Sequence, residues 1–199
     1  PSVREQWKRL TTAIGELPES PTHRMVHACN GAAALRCPEY AADAVRLGMF
    51  LYGGRLGPEL PDPEPVASVY ARIVFVRDAA PGSTVGYAAT HTAVEAERWA
   101  TLGIGYGDGL PRSLGNCGHA LIGGVRAPII GRISMDTTVV DITGIANVDV
   151  GDVATLIGSD GDATILVDEV ADLAGTIPYE ILTGLTPRLP RIWIDDDGR

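Results

Sequence analysis

The 199-residue chain has almost no lysine: of its 16 basic residues, fifteen are arginine and one is Lys8. Any Schiff-base chemistry within the chain would have to use Lys8. That residue sits in SVREQWKRLTTAIGEL, where Val3, Trp7, Leu10, Ile14 and Leu17 recur at three- and four-residue steps. The spacing predicts a helix over residues 3–17 with one buried face. Lys8 falls beside that face, as a solvated lysine on a surface helix.

Other absences narrow the function classes. Three cysteines (Cys29, Cys37, Cys117) are an odd number at no metal-ligand spacing, and four histidines form no HExxH or HxH cluster; neither a disulfide framework nor a metal site is expected. No apolar run approaches the ~18 residues that span a bilayer, and the first twenty residues lack the apolar core of a signal peptide. A soluble, cytoplasmic protein without a membrane partner is expected. A net charge of −9 disfavours nucleic-acid binding, and the acidic run at 195–197 reads as a solvated tail. Neither internal repeats nor low-complexity segments occur.

What is present is enough apolar mass, 45% of residues, to bury a core of one or two domains. Arg24 to Cys29 reads as a short buried strand. Pro38 to Leu47 reads as a helix with proline in its first turn and Gly48 at its stop, and Phe50 to Tyr52 as the next strand. This alternation is that of the last units of a (β/α)₈ barrel. GGRLGPELPDPEP, from Gly53 to Pro65, reads as a linker. Beyond it SVYARIVFVRDAA, AERWATLGIGY, HALIGG, APIIGRISM, TTVVDIT, DVATLIG and PRIWI are short β-branched segments punctuated by turn residues, the spacing of an all-β domain. Only Leu166 to Ala174, ahead of TIPYE, looks helical there. The fold class is thus α/β plus all-β, with residues 1–61 as the end of a barrel and 62–199 as a β-domain.

Several local groups bear chemistry. HACNGAA follows a strand and precedes a helix, so its backbone amides and the Asn30 amide suit a phosphate. Gly48 and Met49 repeat the arrangement at a tight helix-to-strand turn. Read alone, these are ordinary turns. Arg46, at an apolar helix end, reads alone as a snorkelling side chain or a partner of Asp43. Tyr87 reads as a strand tyrosine, Asp108-Gly109 as a turn, and Arg112 and Arg132 as surface charges.

Three separated motifs in one order, GIGYGDGLPRS (103–113), GRISMD (131–136) and TIPYE (176–180), carry more information together than any of them singly. With HACNGAA (27–33) and VRLGMFLYG (45–53) they resemble bacterial alanine racemases, built on a pyridoxal phosphate barrel. The resemblance runs over nearly all 199 residues, yet matches only the second half of such an enzyme; the family's cofactor-bearing lysine lies upstream of it.

The resemblance implies specific roles. Asn30, Gly31, Gly48 and the backbone of Met49 meet the phosphate of pyridoxal 5'-phosphate, and Tyr179 adds a phenolic hydrogen bond. The family usually has serine where Gly31 stands, so one hydroxyl contact is absent, worth ~0.5 to 1.5 kcal/mol. Arg46 points at the pyridine nitrogen; a permanent guanidinium keeps that nitrogen unprotonated and disfavours side reactions such as transamination. Tyr87, in STVGYAATHTA against the family's VSYGATYTA, is a catalytic base that moves the α-proton on one face while the upstream lysine works on the other, the two-base arrangement racemisation needs. A tyrosine is a poor base at neutral pH unless nearby positive charge or hydrogen bonds favour its phenolate.

The family supplies that tyrosine from the partner subunit, so a homodimer with shared active sites is implied. The backbone N–H of Met135 meets the substrate carboxylate, Asp136 supports the loop, and Ser134 replaces the usual cysteine. Tyr106, Asp108, Arg112 and Arg132 line the substrate entrance and its gate, and GYGDG replaces the usual GYADG without an expected effect on chemistry. The implied function is interconversion of L- and D-alanine for peptidoglycan, with the N-terminal half of the same enzyme as a required partner. A serine racemase of the same family, a non-catalytic dimerising remnant and a binding module for another phosphorylated ligand remain alternatives.

Overall fold

The computed structural model describes residues 2–194, and the acidic run at 195–197 lies outside them. The chain forms two compact units, Pro1–Val66 and Ala67–Arg199. No helix among the described residues is long and apolar enough to cross a membrane.

In the first unit α1 (Val3–Gly15) is capped by the Ser2 hydroxyl, which accepts the Glu5 N–H. Trp7, Leu10 and Ile14 of its apolar stripe are half-buried, while Val3 and Leu17 are exposed, so the stripe is only partly covered. Trp7 stacks on Tyr40 at 5.5 Å. β1 (His27–Asn30) leads into α2 (Gly31–Arg36), and β2 (Ala44–Arg46) returns parallel to β1, with His27 opposite Ala44 and Asn30 opposite Arg46.

Three sequence expectations fail in this unit. The strand expected over 24–29 begins only at His27. The helix expected over 38–47 shrinks to one 3₁₀ turn, Pro38–Tyr40, because Ala42 takes φ 56° and bridges to His27, and the chain then pairs with β1. Pairing with a neighbouring strand overrides the helix propensity of an alanine-rich segment. The strand expected over 50–52 is a 3₁₀ turn, Met49–Tyr52, stopped by Gly53 in the left-handed region. Gly48-Met49 is therefore a strand-to-turn junction, not a helix-to-strand one.

The second unit is built on antiparallel strands: β3 (Val69–Ala79), β4 (Thr84–Val85), β5 (His91–Thr92), β6 (Glu97–Leu102), β7 (His119–Ile122), β8 (Val125–Ile130), β9 (Thr138–Asp141), β10 (Val153–Asp160) and β11 (Ala163–Ile165). The main sheet runs β11-β10-β3-β6-β9-β8-β7, and a further pairing of Thr155 with Leu121 joins β10 back to β7, so six strands close on themselves. β3 shows why: Val69, Ala71 and Ile73 are buried while Tyr70, Arg72 and Val74 face out, the period of a strand with one covered side. β10 is instead buried continuously from Ala154 to Gly158, as a strand covered on both sides must be. Trp99, Leu102, Leu121, Ile129 and Leu156 are among the fully enclosed core side chains.

α3 (Val167–Ala174) lies where a helix was expected, and α4 (Pro178–Gly184), with proline at its first turn, extends it through TIPYE. The PRIWI segment forms no strand. Ile192, Trp193 and Ile194 are exposed and pair with no strand among the described residues; apolar composition makes a strand only where an edge is available. The β4–β5 hairpin stands apart from the main sheet, joined by a turn over Tyr87–Ala89, so Tyr87 sits at a hairpin apex and not in a strand.

Candidate active site

The first unit places Asn30 and Arg46 opposite each other on paired strands, and both line one cavity of about 470 Å³, with Ala33, Cys29 and Tyr40. Asn30 caps α2: its Oδ1 accepts the Ala33 N–H at 3.0 Å, leaving its NH₂ group as the donor. The first-turn amides of Gly31 and Ala32 have no carbonyl partner inside the helix. Gly31 is buried, and a Cβ there would lie 2.9 Å from Leu56 Cδ1.

Arg46 does not pair with Asp43. Its Nη1 lies 3.0 Å from His27 Nδ1 and donates to the His27 carbonyl at 3.2 Å, whereas Asp43 accepts the Val26 N–H and faces His23. Gly48 is half-buried and Met49 buried at the junction after β2. Lys8 is exposed on α1 and does not line the cavity.

In the second unit the motifs, distant in sequence, converge. Tyr106 N–H donates to the Ser134 carbonyl at 3.0 Å and Gly107 N–H to the Met135 carbonyl at 2.8 Å, so GYGDG lies directly on the SMD turn. Gly105 makes this approach possible: a Cβ there would sit 2.5 Å from the Met135 carbonyl oxygen. Asp108, only 7% exposed, accepts the Gly105 N–H at 2.9 Å. Its other oxygen pairs with Arg188 Nε at 3.1 Å, and Arg188 Nη2 donates to Asp136 at 2.5 Å. Thr186, two residues earlier, donates its N–H to the Asp108 carbonyl and its hydroxyl to the Gly107 carbonyl. The segment following α4, and with it the helix carrying Tyr179, is thus tied to the same turns. Arg188 was not singled out in the sequence, where it is one arginine among fifteen.

Tyr87 is 70% exposed. Its turn is held on two sides. On one, Gly86 packs against the backbone of Arg132, and Asn116 bridges Thr90 to Gly131. On the other, Glu97 Oε2 accepts the Trp99 indole N–H at 2.6 Å and lies 2.9 Å from His91 Nε2. Burial pushes the Glu97 carboxyl up, but the bonds from His91 and Trp99 and the His91 charge outweigh it, so it lies below its ordinary value. Arg77 stacks over Trp99 at 4.5 Å. Tyr106, Met135, Tyr179, Arg112 and Arg132 are all exposed. Among the described residues, no group of acidic, histidine or cysteine side chains could hold a metal ion.

Residues 66–193 match the model of the alanine racemase C-terminal domain, and residues 1–56 that of the alanine racemase N-terminal domain. The chain belongs to the alanine racemase family. Alanine racemase of Lactiplantibacillus plantarum is 42% identical over 193 residues, 95% of this chain and 49% of that protein; that of Desulfosudis oleivorans is 38% identical over 94% of this chain and 50% of that protein. The chain spans about half the length of the alanine racemases it matches.

Among solved alanine racemases, that of Bacillus anthracis with bound L-Ala-P superposes with a TM-score of 0.87 at 34% identity, covering 97% of this chain and 50% of that one. That of Bartonella henselae, with covalently bound pyridoxal phosphate, gives 0.83 at 32%, covering 96% and 52%. The alanine racemase fold is therefore shared over the length of this chain.

Proposed function

We propose that this chain supplies the second half of a pyridoxal-phosphate-dependent racemase interconverting L- and D-alanine. The single observation that supports the reading is that motif residues the family resemblance singles out lie together within each unit: Asn30 opposite Arg46 in one cavity, and the Tyr87 turn fastened to GRISMD. Every relative named above is an alanine racemase, which favours alanine over serine.

The residues fit the cofactor. A phosphate wants convergent N–H donors without a carboxylate among them, and the start of α2 with the Asn30 NH₂ group provides that chemistry. Arg46 stands across the strand pair as a permanent donor for a ring nitrogen. Gly48 and the Met49 N–H add to the phosphate side, and the Tyr179 phenol is read as a further donor to the same group. Pyridoxal phosphate, when bound, supplies the electron-withdrawing ring that acidifies the α-C–H of an amino acid. β1, α2 and β2 are in this reading the last units of the (β/α)₈ barrel, and residues 62–199 the C-terminal β-domain.

The chain's own groups then do the following. The Met135 N–H holds the substrate carboxylate, and Asp136, through Arg188, holds the loop that presents it. The Tyr87 phenol oxygen takes or returns the α-proton on one face, facing a lysine contributed by the N-terminal half. Tyr106, Asp108, Arg112 and Arg132 form the entrance, where two arginines draw in a carboxylate. Tyr87 would be delivered across a homodimer, giving two shared sites in a cytoplasmic enzyme that makes D-alanine for peptidoglycan.

The test is to join the 199-residue chain to the N-terminal half of the Lactiplantibacillus plantarum enzyme and assay racemisation by chiral chromatography. Borohydride reduction and denaturing mass spectrometry then locate the pyridoxyl group. The expected result is activity, a pyridoxyl mass on the N-terminal half, and reduced activity in both Tyr87→Phe and Asn30→Ala. A pyridoxyl mass on Lys8, or full activity in Tyr87→Phe, overturns the assignment.

A further inference from the structure

We propose that Asn116 is a positioning residue for Tyr87, a role that rests on the reading of Tyr87 as a proton-transfer base. The turn that carries Tyr87 is not self-sufficient. Its flanking strands, β4 and β5, are two residues each, too short to stand alone. Inside it Ala88 (φ 64°) and Ala89 (φ 47°) both occupy the left-handed region, which an alanine keeps only where surrounding structure over-determines it.

Asn116 supplies that determination from a distant part of the chain. Its carboxamide Oδ1 accepts the Gly131 N–H at 2.6 Å, and its Nδ2 donates to Thr90 Oγ1 at 3.1 Å. Thr90 closes the Tyr87 turn, and Gly131 opens GRISMD. One side chain therefore spans the segment bearing the base and the segment bearing the carboxylate contact. Asn116 reaches both because its own backbone is left-handed, φ 64°, a conformation asparagine tolerates better than most residues. The fit is continued by glycines: Gly86 lies against the Arg132 backbone, and a Cβ on Gly131 would sit 2.8 Å from Val85 Cγ1. A shift of about 1 Å in the base relative to the carboxylate is enough to slow proton transfer, so this bridge sets rate rather than binding.

Amide hydrogen exchange on the 199-residue chain reads the bridge without any activity. Asn116→Gly keeps the left-handed backbone and removes both hydrogen bonds; exchange over residues 84–92 should rise about tenfold, the effect of one lost neutral hydrogen bond, with β6 and β9 unchanged. Thr90→Val should do the same and Thr90→Ser should restore protection. In the joined racemase, Asn116→Gly should lower kcat about tenfold with KM within about twofold, and lower it no further in a Tyr87→Phe background. Unchanged exchange over 84–92, exchange raised over the whole unit, or additive losses in the double variant overturns the proposal. Full activity in Tyr87→Phe removes the base assignment, and with it the positioning role, while the exchange data still report on the bridge itself.

Discussion

Arg188 and Asp136 meet at 2.5 Å, and the same guanidinium pairs with Asp108 at 3.1 Å. One arginine near the end of the described residues thereby joins the GYGDG turn to the SMD turn. Asp136 and Asp108 would otherwise face each other as two uncompensated carboxylates; the shared Arg188 offsets part of that repulsion.

Asp108→Ala removes both the Gly105 N–H acceptor and the Arg188 partner from a buried position. The second unit should lose about 1–3 kcal/mol. Urea unfolding would measure this, and a midpoint unchanged from the parent chain would contradict it.

Gly107 stands where the family usually carries alanine. Here a Cβ would meet Arg188 Nη1 and lie 2.9 Å from the Met135 carbonyl oxygen. Gly107→Ala should displace Arg188 from Asp136 and raise KM for alanine several-fold, about the worth of one charge-assisted hydrogen bond at an exposed site. Gly103→Ala, facing only Val74 Cγ1 at 3.2 Å and a backbone oxygen at 3.7 Å, is the control that should leave KM unchanged.

Gly31→Ser restores the hydroxyl the family usually has. Cofactor retention should improve by ~0.5 to 1.5 kcal/mol, provided Leu56 yields, since its Cδ1 lies 2.9 Å from the new Cβ. Leu56→Ala combined with Gly31→Ser should show the full gain. Pyridoxal phosphate dissociation in the joined enzyme, followed by absorbance, gives the value; a faster dissociation in the double variant would refute the account.

Glu97 contributes to stability on the acid side. Its folded-state pKa lies below the ordinary 4.5, so its bonds to His91 and Trp99 contribute fully above that value and are lost as pH falls from 4.5 through the lower folded one. Glu169, lowered chiefly by its hydrogen bond from Arg126, loses its contribution over the same range. Trp99 fluorescence, in a chain with Trp7 and Trp193 replaced by phenylalanine, should report loosening of the β4–β5 hairpin there. Glu97→Gln should keep the hairpin closed and flatten that limb; an unaltered limb would assign it elsewhere.

Much of the β-domain was legible along the chain. Alternation in VYARIVFV and continuous burial in ATLIG are direct consequences of covering a strand on one side or on both. The failures share a cause. Residues 38–52 have helix-like and strand-like composition, but Ala42 and Gly53 turn the backbone and β1 recruits β2, so non-local pairing decided them. PRIWI has strand composition but pairs with no strand among the described residues.

The motifs by themselves determined the family, because residue type and turns encoded within a few positions carry the resemblance. Only the tertiary structure decided what holds them in place. Arg188 reaches Asp108 across 80 residues of chain and Asn116 reaches Thr90 across 26, and partners so far apart leave no periodicity in sequence for a local reading to find.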